Sequence, residues 1–474
     1  MIGKRELLYM QIANGIEQQI KHGVLKVGDK LPSLRTICLE QGVSLSSSSQ
    51  AYLELESRGF IESRPRTGYF VSFSHKDLRE VPSTSQPRLT NASEDPEDII
   101  NTITGNAAKA NIFLSSGIPA LSLLPVAKLN KGMIQAMRSL PDSGINYERQ
   151  GNTKLKQQIA RRSLSWGGKL REDEIVTTSG CMEALAFSML ALAERGDTIA
   201  VESPVYYGIP LLAKSIGLKV IELPTHPVTG VELDALEKAF KKNKVKLCLF
   251  VTNFNNPLGS MMPVENKKAV VKLLEKYNVP LIEDDLYGDL YFGDHRPLTC
   301  KSFDESGMVL WCGSFSKTLS AGYRVGWVAP GKFLEKVKRI KHYHAISCNA
   351  LAHETIANFL ENDRYENHLR KLRQTLHRNT LQFHRFIGEY FPKDTLVSRP
   401  QGGFHLWVEF NKRTDTIELY NQLIQHRISF TPGRIFTLQN QYNNCLRLST
   451  GLLLNDRVEG ALKLMGKIAG RLAH

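Results

Sequence analysis

From about Phe113 to the end of the 474 residues, short apolar runs alternate with amphipathic stretches of helical spacing. That rhythm predicts an α/β fold with a mainly parallel sheet, since parallel neighbours need a crossover between them and are buried on both faces. The most informative piece is Val309-Leu-Trp-Cys-Gly-Ser-Phe-Ser-Lys-Thr-Leu-Ser-Ala-Gly-Tyr-Arg-Val-Gly-Trp327. It reads as a buried strand, a polar turn, a loop and a second apolar strand. Lys317 sits in the turn between Ser314, Ser316 and, further on, Arg324. An amine, two hydroxyls and a planar five-donor head suit a phosphate held beside an amine that forms a Schiff base. A solvated loop with a chance lysine is the plainer reading, so the motif needs company.

Other strand ends supply it. Glu174-Ile-Val-Thr-Thr-Ser-Gly-Cys-Met-Glu-Ala-Leu185 is a strand, a turn and a helix; Gly180 permits close backbone approach, and the amides of Cys181 and Met182 open the helix. A helix N-terminus attracts phosphate. Tyr206 and Tyr207 follow the strand at 198–203, where either ring can stack on a flat ligand or pack in the core. Asn256 lies in an Asn-Asn-Pro-Leu-Gly turn after an apolar strand, suited to a ligand hydroxyl or simply to the turn. Val279-Pro-Leu-Ile-Glu-Asp-Asp-Leu-Tyr287 ends a strongly apolar strand in three acids, at the edge where α/β sheets bind ligands. A carboxylate there can pair with a protonated pyridine nitrogen. Metal binding is the weaker alternative, since no histidine or further acid lies nearby. Pro400–Val408 reads as a strand of a smaller domain, and Asn444-Cys-Leu-Arg-Leu-Ser449 places Arg447 in an apolar strand. A buried arginine needs an anion, either a ligand carboxylate or an internal acid.

The first 72 residues differ in character. Tyr9, Ile12, Ile16 and Ile20 are spaced for an amphipathic helix over 8–22; a second follows over 31–40 with Ser33 as cap, and a third from about Ser46 to Arg58 on an apolar face of Ala51, Tyr52 and Leu55. Two short strands close the segment. Three helices and a hairpin form the layout of a winged helix-turn-helix, whose third helix enters a DNA major groove. Ser44, Ser46, Ser47, Ser48 and Gln50 then stand as hydrogen-bonding groups for phosphates or base edges, with Arg35 on the second helix and Arg64, Arg66 and Thr67 on the wing. A small interaction domain is the alternative.

Residues 73–110 are polar, acidic and rich in turn formers, which predicts a flexible linker. The net charge of +14 permits an anionic partner. Residues 1–72 hold nine basic against seven acidic residues, so most of the excess lies beyond them, in clusters such as 241–246 and 336–341 that read best as solvated faces. Seven scattered cysteines without a C-x-x-C pair predict free thiols in a reducing compartment and no metal site. No apolar run is long enough for a membrane span and the N-terminus lacks a signal-peptide core, so a cytoplasmic protein is expected.

Leu31-Pro-Ser-Leu-Arg35, Gly42-Val-Ser44, Gly59-Phe-Ile61 and Gly68-Tyr-Phe-Val71 resemble the GntR-type winged helix over nearly its whole length, although Leu45 replaces the family's DNA-contacting arginine. Residues 111–474 resemble fold-type-I pyridoxal-phosphate enzymes of aminotransferase class I/II, with a large domain and a smaller C-terminal subdomain. Together, with 73–110 as linker, the chain resembles MocR-type regulators. The resemblance implies that Lys317 carries the cofactor, Asp284 meets the pyridine nitrogen, Tyr287 and Asn256 meet the ring hydroxyl, and Tyr206 stacks on the ring. It implies a phosphate cradle of Gly180, Cys181, Met182, Ser314, Ser316 and Arg324, with Tyr147 reaching a partner subunit's phosphate and Arg447 holding a ligand carboxylate. Cys181-Met182 is an unusual phosphate turn, and Leu258 stands where threonine is common. The implied function is a DNA-binding regulator that senses pyridoxal phosphate or its adduct with an amino compound, as a head-to-tail, domain-swapped homodimer. The alternative is a working aminotransferase with an appended DNA-binding domain. No second arginine beside Tyr206 marks a pocket for a distal carboxylate.

Overall fold

The computed structural model describes residues 8–64, 67–74, 78–92, 96–106, 109–242, 244–361 and 364–473. At the N-terminus stand helices α1 (Leu8–Lys21), α2 (Leu34–Gln41) and α3 (Leu45–Ser57), then an antiparallel hairpin of β1 (Ile61–Arg64) and β2 (Gly68–Val71). Local chemistry sets these limits. Ser33 caps α2 by accepting from the Thr36 amide, and Gly42 ends it at φ +61°, a left-handed conformation that costs glycine little. Ser44 caps α3 through the Ser47 amide. Ile12, Ile16 and Ile20 recur at helical spacing and are buried with Ala51, Tyr52, Leu55 and Val71. Burying each isoleucine stabilises this small core by roughly 1.5–3 kcal/mol. The Tyr52 hydroxyl donates to the Pro32 carbonyl at 2.8 Å, so its polar end is satisfied.

Among the described residues, the large domain is built on an eight-stranded sheet. Its spatial order is Val176–Thr178, Gly326–Ala329, Val309–Ser314, Leu281–Asp284, Val245–Phe250, Thr198–Ser203, Lys219–His226, Gly230–Val231. The five strands from Val309–Ser314 to Lys219–His226 pair in parallel, while Gly326–Ala329 runs antiparallel to both its neighbours. Val309–Ser314 and Leu281–Asp284 are buried at every position, which is why they read as unbroken apolar runs ending in polar residues. Their carboxyl ends therefore deliver Asp284 and Ser314 to one edge of the sheet. The smaller domain packs helices Arg364–Tyr390 and Asp456–Leu472 against an antiparallel sheet of Leu396–Val397, His405–Glu409, Cys445–Ser449 and Thr431–Pro432.

The expected flexible linker takes another form over its described residues, which are laid against the rest of the chain. Arg79 donates to the carbonyls of Lys393 (2.7 Å) and Gly388 (2.8 Å), and the Ser85 hydroxyl bridges the Ser203 carbonyl and the Thr225 amide. Asn91 forms a bridge with Ile221 at the sheet, and Leu89 packs into the core there. Helix α4 (Glu97–Asn106) follows. The hydrogen bonds of Arg79 and Ser85 and the apolar contacts of Leu89 and of Ile100 and Ile103 in α4 hold these described residues, and a polar composition carries no sign of such contacts.

The winged domain meets the long helix Arg364–Tyr390 at Gly59. That glycine holds φ +76°, and a Cβ on it would collide with the Leu381 side chain. Gly59→Ala is expected to destabilise the N-terminal domain by about 1–2 kcal/mol from backbone strain and lost docking. Hydrogen exchange should show faster opening confined to α1–α3 and the hairpin.

Candidate functional site

A pocket of about 450 Å³ opens between the carboxyl edge of the large sheet, the smaller domain and α4. Lys317 and Asp284 both line it. Lys317 follows the strand Val309–Ser314 and donates to the Gly117 carbonyl at 2.7 Å. Burial, with Arg447 adding repulsion, lowers its ammonium from 10.5 to about 8, so a useful fraction of free amine exists near neutrality. Asp284 is buried; its Oδ1 accepts from the Cys181 thiol (3.3 Å) and the Leu286 amide (3.2 Å). Burial raises it from 3.8 to about 6.

Tyr287 and Asn256 stand together: the Asn256 amide donates to the Tyr287 hydroxyl at 3.3 Å, and His405 Nε2 lies 3.3 Å from the same oxygen. Arg447 is buried and bonds the Asn256 side-chain oxygen (3.1 Å), the Thr431 hydroxyl (3.1 Å) and the Ser115 carbonyl. Its Nε has no partner, and no acid pairs with it among the described residues. The internal carboxylate weighed as its partner is therefore not there. Burial pushes its guanidinium down. Tyr206 and Tyr207 form one wall, their ring centroids 4.7 Å apart.

The opposite end is built for an anion. Gly180, at φ +91°, caps the helix Cys181–Leu192 without any side-chain hydrogen bond to its first amides. A Cβ at Gly180 would strike the Arg324 guanidinium, which donates to the Ser179 carbonyl at 3.0 Å. Arg324 itself holds φ +53°, a conformation that costs a non-glycine residue of order 1–3 kcal/mol. Ser314 accepts from the Ser316 amide at 3.2 Å, and the buried Ser316 hydroxyl has no partner. Free helix amides, an unpartnered hydroxyl and a guanidinium thus meet at one point.

On the N-terminal domain, Arg35, Ser44, Ser46, Gln50, Arg64 and Thr67 are exposed and Ser47 is half-buried. Ser48 is a correction. It is buried, bonded to the Cys38 thiol (3.2 Å) and to the Ser44 carbonyl (3.3 Å), and cannot reach DNA. Its spacing from Ala51, Tyr52 and Leu55 already placed it on the core face. The Ser44 hydroxyl is engaged by the Ser47 amide at 3.0 Å, which makes it first a cap. Arg64 pairs with Glu62 at 2.8 Å and lies over the Phe70 ring; an exposed pair of this kind is worth about 1 kcal/mol at most and yields readily to a phosphate. Arg66 lies outside the described residues.

The family profile described as bacterial regulatory proteins, gntR family, matches residues 8–71, and that of aminotransferase class I and II matches 112–462. The HTH-type transcriptional regulator YjiR of Escherichia coli K12 is 35% identical over 98% of this chain and 99% of its own length. YdcR of the same strain is 34% identical, covering 97% and 98%. The chain belongs to the MocR-type regulators. Among solved structures, a multiple substrate aminotransferase from Thermococcus profundus superposes with a TM-score of 0.73 at 23% identity, over 79% of this chain and 94% of that one. LysN, an α-aminoadipate aminotransferase from Thermus thermophilus solved with N-(5'-phosphopyridoxyl)-L-leucine, gives 0.73 at 24%, covering 78% and 95%. At that identity both show the fold of the larger domain alone; with the gntR match to residues 8–71, the regulator joins a winged helix-turn-helix to a fold-type-I aminotransferase-like domain.

Sequence reasoning missed part of the regulator's pocket. Ser115, Gly117, Ile118, Thr431 and Ile435 line it, as do Ile100, Ile103 and Thr104 of α4. The isoleucine spacing in 99–103 was a helical signal hidden inside an acidic stretch; a backbone carbonyl such as that of Gly117 has no sequence signature. Tyr147 stays outside the pocket of its own chain and is 71% exposed. No helix among the described residues is long and apolar enough to cross a membrane.

Because folding raises the Asp284 pKa from 3.8 to about 6, the folded protein keeps a proton that the unfolded chain releases. Stability is then lost as pH climbs through that window, and the cost is complete at pH 7. Ligand-free Asp284→Asn is expected to be more stable than wild type at pH 7, by roughly 2–3 kcal/mol at most. The gap in melting temperature should close toward pH 4.

Proposed function

We propose that this regulator binds pyridoxal phosphate in the pocket and DNA through residues 1–72, with 73–110 as the connecting segment and 111–474 as the sensing domain. The observation that carries the reading is the charge set of one pocket: Lys317 with a lowered pKa, Asp284 with a raised one, and Arg447 buried without an acid. When bound, the cofactor supplies an aldehyde that condenses with amines and a ring that withdraws electrons. The residues fit it. Lys317 presents its amine, and Asp284 faces the ring nitrogen. Tyr287 and Asn256 hold the ring hydroxyl, and Tyr206 stacks on the ring. Gly180, the amides of Cys181 and Met182, Ser314, Ser316 and Arg324 hold the phosphate, which accounts for the unpartnered Ser316 hydroxyl.

An incoming amino compound competes with Lys317, while the fork of Arg447 takes its carboxylate. The effector shifts DNA binding only by its different affinity for two arrangements of the chain. α3 enters the major groove, with Arg35 and Arg64 on phosphates. The protein acts in the cytoplasm as a homodimer, a reading supported by the exposed loop that carries Ile145 and Tyr147. Against the expected head-to-tail domain swap stands the docking of the winged domain on the helix Arg364–Tyr390 of its own chain. Transamination is the second reading, favoured by the presence of amine, carboxylate and arginine together; the winged helix, which a metabolic enzyme does not need, weighs against it.

The purified protein is expected to show the visible band of lysine-bound pyridoxal phosphate, absent from Lys317→Ala. Its affinity for a duplex selected from a random pool, read by fluorescence anisotropy, should change at least fivefold across a panel of amino acids. No band with added pyridoxal phosphate, or constant DNA affinity across the panel, defeats the reading. Catalytic release of a keto acid would instead favour the aminotransferase.

A further inference from the structure

The pocket carries four charged side chains: Lys317, Asp284, Arg324 and Arg447. Resting on the reading above, the first three serve the cofactor, which leaves a single guanidinium for the effector. Arg447 is fixed on one side by Asn256, Thr431 and Ser115, and its one fork accommodates one carboxylate. The remaining wall is apolar. Ile100 and Ile103 of α4 pack with Ile435 and Tyr207 in one cluster that also holds Phe436, and Phe436 lies beneath the Arg447 guanidinium at 5.5 Å. This surface adjoins the carboxylate position. Ile100 and Ile103 are only half-buried, so apolar area there stays open to a ligand.

We propose that the effector is an α-amino acid with an uncharged, apolar side chain, and that α4 reads this side chain. A second carboxylate or amine would be driven against isoleucine without a partner, and unpaired charge in such a place is strongly disfavoured. An aliphatic or aromatic side chain covers the half-exposed isoleucines and gains from leaving water. α4 is also where occupancy can be communicated. It is held to the smaller domain by a Tyr420 hydroxyl on the Ile103 carbonyl at 3.3 Å, and in sequence it lies between the winged domain and the rest of the pocket. A side chain seated on Ile100 and Ile103 therefore touches the piece of chain that joins pocket and DNA-binding unit.

The test uses the full chain freed of cofactor and three probes in titration calorimetry. These are pyridoxal phosphate, N-(5'-phosphopyridoxyl)-L-leucine and N-(5'-phosphopyridoxyl)-L-glutamate. The leucine adduct is expected to bind at least tenfold tighter than the glutamate adduct. In Ile103→Lys the preference should fall below threefold or reverse, with pyridoxal phosphate binding as the control for an intact pocket. Equal affinity for the two adducts, or a preference for glutamate, while pyridoxal phosphate binds wild type overturns this proposal and leaves the cofactor reading standing. A leucine preference that persists in Ile103→Lys overturns the part played by α4. Failure of wild type to bind pyridoxal phosphate overturns the reading on which both rest.

Discussion

Three charged groups largely withdrawn from water in one cavity are the constraint on which this structure turns. Lys317 and Asp284 are each pushed toward their neutral forms, and Arg447 is left with hydrogen bonds to neutral oxygens only. Lys317 and Asp284 offset part of each other's cost, whereas Arg447 has only neutral partners among the described residues, and an unpaired buried charge commonly costs several kcal/mol. Asp284 and Ser314 stand where buried strands of the large sheet stop and Lys317 follows one of them, while Arg447 comes from within the strand Cys445–Ser449 of the smaller domain. The left-handed backbone of Gly180 and Arg324 adds local strain at the same edge, where it serves to bring a guanidinium against a helix N-terminus.

Much of this was legible. Runs of apolar residues ending in acids or serines located the strand ends that carry Asp284 and Ser314. Ile12, Ile16 and Ile20 at helical spacing, and Ser33 as a cap, marked the three helices of the winged domain within three residues. What escaped has physical reasons. Ser48 was grouped with its exposed neighbours because side-chain chemistry was read ahead of helical phase. α4 was hidden because its partners, Ile435, Tyr207 and Tyr442, are far away in sequence, and burial against distant residues leaves no local trace beyond a short isoleucine spacing.

Residues 78–106 change how the two units relate. A loose tether would let the winged domain move independently, and its position would carry no information about the pocket. Here Arg79 and Ser85 bond to both the smaller domain and the large sheet, and α4 closes the far end over the cavity. These anchors are individually modest, about 1 kcal/mol for each neutral hydrogen bond of Ser85 and roughly 1.5–3 kcal/mol for those of the charged Arg79.

The same balance bears on why the aminotransferase framework is retained by a regulator. A sensor gains nothing from turnover, yet it needs a ligand held long enough to bias the DNA-binding domain. A lysine lowered to about 8 presents a fraction of free amine near neutrality, the form that acts as a nucleophile. Arg447 adds to the same pocket a buried guanidinium whose planar fork suits a carboxylate. Beside that charge set, α4 lines the same pocket through Ile100, Ile103 and Thr104, so the segment that follows the winged domain in sequence forms part of its wall.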